Sequence, residues 1–164
     1  MSKTRTLAKM IDHTLLHPTA TDEDLKKECD VAKKYNVASL CVKPYMVPLT
    51  AEQLAGSDVV VSCVVGFPAG NSTIEIKAAE ADYVKTSTGF GYVKGEDGKY
   101  SYTGATIPNL KLLKRSIGPN VKVKASGGIR SLDALLRVQE VGCERCGATA
   151  TVAILEEARE RFGD

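Results

Sequence analysis

Two segments of this sequence place a lysine at the end of a strand-like run and follow it with hydroxyl residues and glycines. In residues 82–91, Tyr83 and Lys85 share one face of the predicted strand, because side chains alternate along a strand. In residues 121–128, Lys124 precedes Ala-Ser-Gly-Gly in a similar arrangement. A single lysine before a loop is usually a surface residue. The recurrence of the pattern instead indicates a site at the carboxyl ends of strands, where α/β folds bind their ligands.

Two neighbouring lysines suggest nucleophilic attack on a carbonyl group. A free lysine has a pKa of about 10.4, so it is protonated and unreactive near neutral pH. A second cation nearby disfavours the charged form and lowers that pKa, which is one route to a Schiff-base lysine. The glycine turns that follow offer backbone N–H groups, and helix N-termini, to an anion such as phosphate. The residues alone therefore predict an amine nucleophile, a helper cation and a phosphate site.

These two segments belong to a longer series of motifs. The series consists of IDHTLL at 11–16, ASLCV at 38–42, VGFPAG at 65–70, KTSTGFG at 85–91 and KASGGIR at 124–130. In content and order, along nearly the whole chain, it resembles the deoxyribose-phosphate aldolases. The two lysine motifs are highly specific as a pair.

The resemblance implies a role for several polar residues of these motifs. Lys85 matches the family's Schiff-base lysine, and Lys124 matches the partner lysine that keeps it deprotonated. Asp12 matches an aspartate of the polar network around the lysines, and a purely structural carboxylate is an equal alternative. The residues that the resemblance assigns to the substrate phosphate are Thr88, Gly89, Ser126, Gly127, Gly128 and Thr149.

The last phosphate turn departs from the family pattern. Two adjacent serines are usual there, whereas this chain has Thr149 followed by Ala150. One hydroxyl donor is therefore lost, and a hydrogen bond to a charged group contributes about 1.5–3 kcal/mol. We expect phosphate binding to be weakened but not abolished.

The activity that the resemblance implies is that of a class I aldolase, a lyase of deoxyribonucleotide and carbohydrate breakdown. Such an enzyme cleaves 2-deoxy-D-ribose 5-phosphate reversibly to D-glyceraldehyde 3-phosphate and acetaldehyde. No metal or organic cofactor is implied, since the lysine iminium is itself the electron sink. The implied partners are a small-molecule sugar phosphate and an aldehyde, with a homodimer as a further expectation. The residues alone indicate only an aldehyde and a phosphate, so another Schiff-base barrel enzyme is a weaker alternative.

Composition argues against several other classes of protein. The 164 residues carry 22 basic and 20 acidic side chains, spread along the chain, so nothing marks a nucleic-acid or membrane surface. No window approaches the ~18 apolar residues of a membrane span, and no run resembles a signal peptide. The five cysteines lie mostly in apolar runs, which favours a reducing cytoplasm over a disulfide framework.

Two further patterns are interpreted as structural. Cys143 and Cys146 have the spacing of a metal or redox motif, but strand positions three apart face opposite sides. No second Cys or His cluster completes such a site, so we expect no metal. His13 and His17 are expected to be structural rather than catalytic.

The arrangement of apolar runs predicts an α/β fold. Near-continuous apolar strands alternate with amphipathic helices, which indicates a parallel sheet covered on both faces. About six parallel strands are expected, whereas a complete eight-unit barrel usually needs at least ~200 residues. We therefore predict a single domain over residues 1–164 with an incomplete, TIM-barrel-derived (β/α) fold.

One junction lacks the turn-forming residues that separate the other predicted elements. Ala81 runs directly into Asp82 without Gly, Pro or Asn, although an αβ loop usually has ~2–6 residues. Compared with the family, two strand–helix units of about 30 residues each are absent near 81–82. One of them carries the aspartate that assists proton transfer in the family. The alternative function is therefore an impaired, truncated isoform that binds sugar phosphates or a partner chain without turnover.

The deletion also bears on strand pairing. Only one predicted helix, 71–81, separates the strands 59–65 and 82–86, and such a helix can serve as a right-handed crossover. We therefore predict a ladder between these strands in a contracted or open sheet. Residues 92–102 alternate in character on both sides of an Asp-Gly, which predicts a small hairpin. This hairpin is either a lid over the site or a solvent-exposed loop.

Overall fold

The computed structural model describes residues 2–64, 67, 83–86, 93–94, 98, 100–101, 104–117, 119 and 121–164. Its helices are α1 (Lys3–Ala8), α2 (Asp22–Tyr35), α3 (Val47–Leu54), α4 (Ile107–Ser116), α5 (Leu132–Glu140) and α6 (Thr151–Phe162). Its strands are β1 (Ile11–Thr14), β2 (Ser39–Val42), β3 (Val60–Cys63), β4 (Tyr83–Lys85), β5 (Val93–Lys94), β6 (Tyr100–Ser101), β7 (Lys122–Ser126) and β8 (Arg145–Ala148). The chain divides into two compact units, one of residues 1–64, 130–132 and 148–164, the other of residues 65–129 and 133–147.

The first unit is built on the parallel strands β3, β2 and β1, with β2 in the middle. Helix α1 packs against α6, and α2 packs against α3 and α6. Helix α2 has an apolar stripe of Leu25, Cys29 and Ala32. This stripe drives the packing, because its residues recur at helical spacing and are fully buried. Fully buried side chains of this unit include Leu7, Ile11, Leu25, Leu40, Val42 and Ile154.

The second unit contains the parallel strands β4, β7 and β8, with β7 in the middle. Val123, Ala125 and Cys146 occupy one face of this ladder and are fully buried. Helix α4 packs against β7 and buries Leu110 completely. The alternation of side chains then leaves the opposite face of β7 to its two lysines and its serine.

Side-chain caps define the starts of two helices. The Thr21 hydroxyl accepts from the Asp24 N–H, and the Asp24 carboxylate accepts from the Thr21 N–H, so α2 begins with a complete capping box. The Thr106 hydroxyl accepts from the Asn109 N–H at the start of α4. The predicted hairpin is confirmed in its described part, because β5 and β6 pair in antiparallel fashion.

The predicted ladder between residues 59–65 and 82–86 is wrong for the part of the chain that the structure describes. There β3 pairs with β2 and β4 pairs with β7, and no ladder joins β3 to β4. Val60 is 61% exposed, which agrees with a strand that has one neighbour. A crossover helix of suitable length permits pairing but does not impose it. The predicted helix 71–81 and the junction 81–82 lie outside the described residues.

Candidate active site

The register of β4 on β7 places the two predicted lysines side by side. Lys85 and Lys124 are paired positions of adjacent parallel strands, and side chains of paired positions project from the same face. Neighbouring strands lie about 4.8 Å apart, so the two side chains start within reach of each other. Lys85 is exposed, and its Nζ donates to the carbonyl of Thr86 at 3.4 Å. The structure thus brings together the amine and the second cation that the sequence predicted.

A set of hydrogen bonds joins the two strands immediately after the lysines. The Thr86 hydroxyl donates to the Ser126 carbonyl at 3.0 Å and accepts from the Ser126 N–H at 2.8 Å. The Thr86 N–H donates to the Lys124 carbonyl at 3.1 Å. Thr86 and Ser126 are both buried, so these bonds are shielded from competition by water. They fix the carboxyl ends of β4 and β7 relative to each other.

The turn after β7 has the conformation that its two glycines permit. Gly127 and Gly128 have φ of 93° and 79°, in the region that residues with a Cβ rarely adopt. The Gly127 carbonyl accepts from the Ala105 N–H at 3.0 Å. A Cβ placed on Gly104 would lie 2.3 Å from the Gly127 oxygen, so the segment before α4 rests directly on this turn.

Ser126 has its hydroxyl next to β8. A Cβ placed on Gly147 would lie 2.7 Å from the Ser126 Oγ and 3.8 Å from the Lys124 Cε. The glycine therefore leaves the space that the Ser126 side chain occupies. Of the predicted phosphate residues in this unit, Ser126, Gly127 and Gly128 are consecutive at the end of β7, while Thr88 and Gly89 lie outside the described residues.

Asp12 belongs to the first unit, on β1, and its side chain is fully buried. One carboxylate oxygen, Oδ1, accepts from the Ser39 hydroxyl at 2.5 Å and from the Ser62 hydroxyl at 2.9 Å. Ser39 is the paired position of Asp12 on β2. Two hydroxyl donors on neighbouring strands thus orient the carboxylate and offset part of the cost of burying it.

Thr149, the last predicted phosphate residue, also lies in the first unit. It is exposed and stands between the end of β8 and Thr151, the first residue of α6. The N-cap residue of this helix, Ala150, provides no side-chain hydrogen bond. The first N–H groups of a helix have no partner within it, so this turn presents donors as well as the Thr149 hydroxyl.

The sequence did not identify several residues that hold these groups in place. Thr86, Ser39 and Ser62 fix the lysine strands and the carboxylate, and the alternation of strand side chains was the signal that could have found the serines. Arg145 was also missed: it is paired with Lys124 in register, and its guanidinium lies over the Tyr83 ring, 4.8 Å from the centroid.

The cysteines do not form a metal site in the part of the chain that the structure describes. Burial raises the pKa of the Cys143 thiol to about 11, so this residue is a neutral thiol rather than a metal-binding thiolate near neutral pH. Among the described residues, no group of three or more His, Cys, Asp or Glu side chains could hold a metal ion.

Comparison with known proteins gives a consistent set of relatives. No family model matches the chain. The deoxyribose-phosphate aldolase of Rhodopirellula baltica is 34% identical over an alignment that covers 96% of this chain and 91% of the relative. That alignment runs over 219 positions, more than the 164 residues of this chain, so part of the relative has no counterpart here.

Solved structures extend the likeness to the fold. A structure from Coccidioides immitis, described as a candidate deoxyribose-phosphate aldolase, has a TM-score of 0.81 and 27% identity. The match covers 96% of this chain and 87% of that one. The tetrameric deoxyribose phosphate aldolase from Aeropyrum pernix has a TM-score of 0.74 at 22% identity. The architecture is therefore an incomplete TIM-barrel-derived (β/α) fold with six described strands in parallel ladders.

The contact between Gly104 and the Gly127 turn can be tested by Gly104→Ala. Because the new Cβ would lie 2.3 Å from a backbone oxygen, the segment must move, and we expect the free energy of unfolding to fall by about 1–3 kcal/mol. Denaturant unfolding measures this loss. Gly98→Ala is the matched control, since no atom lies within 4 Å of its Cβ position and only the positive φ is disfavoured. An equal loss in both variants would contradict the close contact.

Proposed function

Because this chain belongs to the deoxyribose-phosphate aldolase family, we propose that it cleaves 2-deoxy-D-ribose 5-phosphate reversibly to D-glyceraldehyde 3-phosphate and acetaldehyde. It is a lyase that works through a Schiff base. The observation that carries the proposal is the register of Lys85 on Lys124 at the carboxyl ends of adjacent strands. A cationic side chain at this position favours the neutral amine of Lys85, which is the form that attacks an aldehyde.

The reaction begins with the open-chain sugar. The neutral Lys85 amine adds to the C1 carbonyl, and loss of water leaves an iminium ion. Removal of the proton from the C3 hydroxyl then breaks the C2–C3 bond. Its electron pair moves into the iminium to give an enamine, and glyceraldehyde 3-phosphate is released. Protonation of the enamine carbon and addition of water return acetaldehyde and the free amine.

The phosphate of the substrate is proposed to bind at Ser126, Gly127, Gly128 and Thr149, together with Thr88 and Gly89. In the described part of this set, a hydroxyl next to two glycines supports the assignment, because such a turn can present backbone N–H groups to an anion. Thr149 contributes a second hydroxyl at the start of α6. Asp12 is proposed to belong to the polar network that assists proton transfer, since its carboxylate is already oriented by two serines.

An internal deletion near residues 81–82 within a single domain is part of the proposal. It is supported by an alignment longer than the chain and by the direct run from Ala81 into Asp82. If the family's proton-transferring aspartate lies on an absent strand, the enzyme must transfer protons by solvent or by its remaining groups. General acid–base catalysis typically contributes ~10²–10⁴-fold, so turnover is expected to be slow.

The setting of the reaction is proposed to be the cytoplasm, with a homo-oligomer as the assembly. Cys29, Cys63 and Cys143 are free thiols, which supports a reducing compartment. Among the described residues, no helix combines the length and apolar character needed to cross a bilayer. The Aeropyrum pernix relative forms a tetramer, which supports self-association without fixing a dimer.

Borohydride trapping identifies the nucleophile. With acetaldehyde present, reduction should add a two-carbon group to Lys85, because its neutral amine forms the iminium. Peptide mapping by mass spectrometry locates the adduct, and Lys85→Met should abolish it. Lys122→Met is the matched control, since Lys122 is exposed two residues before Lys124. An adduct on Lys124 in the wild-type protein would reverse the assignment.

The role of Lys124 is tested by the pH dependence of the same trapping reaction. Lys124→Leu removes the neighbouring cation, so the neutral form of Lys85 should require a higher pH. We expect the profile to move upward by about one pH unit or more. Lys122→Leu, on the same strand and face, should move it much less. A profile that stays in place in Lys124→Leu would mean that the two lysines do not interact.

Turnover separates the proposed enzyme from a truncated binding protein. A coupled assay for glyceraldehyde 3-phosphate should show a rate about 10²–10⁴-fold below that of the Rhodopirellula baltica relative, because an acid–base group is absent. Circular dichroism on the same sample checks that the chain is folded. A folded chain that forms the Lys85 adduct but releases no product would favour the binding function, and full activity would show that another group replaces the aspartate.

A further inference from the structure

A buried histidine joins three elements of the first unit. His13 lies on β1 and is 2% exposed. Its Nδ1 is 2.7 Å from the Thr151 hydroxyl on α6, and its Nε2 is 2.5 Å from the Glu28 carboxylate on α2. Both ring nitrogens therefore have partners, and one imidazole connects a strand with two helices. This chain of side chains, Glu28–His13–Thr151, is called the histidine bridge below.

The histidine bridge has the order of a hydroxyl, an imidazole and a carboxylate, but it is not a nucleophilic centre. Thr151 is fully buried, so its hydroxyl cannot meet a substrate. The bridge instead holds the position of the residue at which α6 begins. The imidazole is thus in hydrogen-bond contact with the Glu28 carboxylate at Nε2 and with the Thr151 hydroxyl at Nδ1.

Thr151 is well placed to influence phosphate binding. It is the first residue of α6, and Thr149 lies two positions before it. Ala150 provides no side-chain cap, so side-chain capping by that residue does not fix the entry to the helix. The hydroxyl bond from Thr151 to His13 is then a side-chain restraint on the first turn of α6 that comes from another element.

We propose that His13 is a positioning residue for the phosphate of the substrate. Through Thr151 it holds the first turn of α6, and with it the Thr149 hydroxyl and the free N–H groups of that turn, in the orientation that receives the anion. The inference rests on the proposed function, because Thr149 is a phosphate residue only there. Asp12 and His13 are consecutive on β1, so one strand orients a carboxylate on one face and this bridge on the other.

Thr151→Val tests the bridge with little change in shape. The substitution keeps the β-branched side chain and removes only the hydroxyl that reaches His13. The half-saturating concentration for borohydride trapping is measured with 2-deoxyribose 5-phosphate and with 2-deoxyribose. We expect the half-saturating concentration of 2-deoxyribose 5-phosphate to rise about threefold to tenfold, the effect of one lost hydrogen bond. The half-saturating concentration of 2-deoxyribose should stay unchanged. Thr151→Ser retains the hydroxyl and should restore the wild-type value.

Tyr35→Phe is the matched control variant. The Tyr35 hydroxyl donates to Glu156 at 2.6 Å and so joins α2 to α6 at another place. Its loss should affect the two sugars equally or not at all. If Thr151→Val also weakens both sugars equally, or neither, the bridge only supports the fold and the proposal is overturned.

A separate measurement keeps this inference distinct from the proposed function. If the wild-type protein forms no adduct on Lys85 with acetaldehyde or with either sugar, the aldolase proposal fails. The bridge is then tested by calorimetric titration with inorganic phosphate. Weaker binding in Thr151→Val than in Thr151→Ser and Tyr35→Phe supports the positioning role, and equal binding in all three, or none in the wild-type protein, overturns it.

Discussion

The alternation of side chains along parallel strands is the constraint on which the chemistry of this protein depends. On β7, Val123 and Ala125 point to a dry face, so Lys124 and Ser126 must point to the other. A shift of β4 by one residue would exchange the faces of all its side chains and remove Lys85 from its partner. The hydrogen bonds between Thr86 and Ser126 oppose such a shift, because both residues are buried and would lose their partners.

The same alternation places two polar side chains of β1 on opposite faces of the strand. Asp12 and His13 are neighbours in the chain, yet their partners belong to different layers of the first unit. Asp12 accepts from serines on β2 and β3, whereas His13 contacts residues of α2 and α6. Both of these buried side chains have hydrogen-bond partners, which offset the cost of burying polar groups away from water. A four-residue strand can therefore carry both an ionisable group and a support for a helix start.

The sequence was sufficient wherever the determining interaction is local. The hairpin of β5 and β6 depends on the Asp-Gly and the few residues beside it, and the sequence predicted it. Prediction was weaker where a contact depends on residues that are far apart in the sequence. The partner of β3 could not be deduced from the length of the predicted helix 71–81, because pairing also depends on the other strands. The contacts of His13 with Glu28 and Thr151 were not predicted, because they join positions that are 15 and 138 residues apart in the sequence.

The position of the proposed deletion explains why Lys85 and Lys124 can stay next to each other in a shortened chain. The described residues that place Lys85 next to Lys124 lie on β4, β7 and the turn after β7, all carboxyl-terminal to residue 82. None of these contacts needs a strand from before the junction. Proton transfer is different, because it needs a group at a fixed distance from the reacting hydroxyl, and such a group can come from any strand. Loss of two strands can therefore impair proton transfer while leaving the geometry for iminium formation in place.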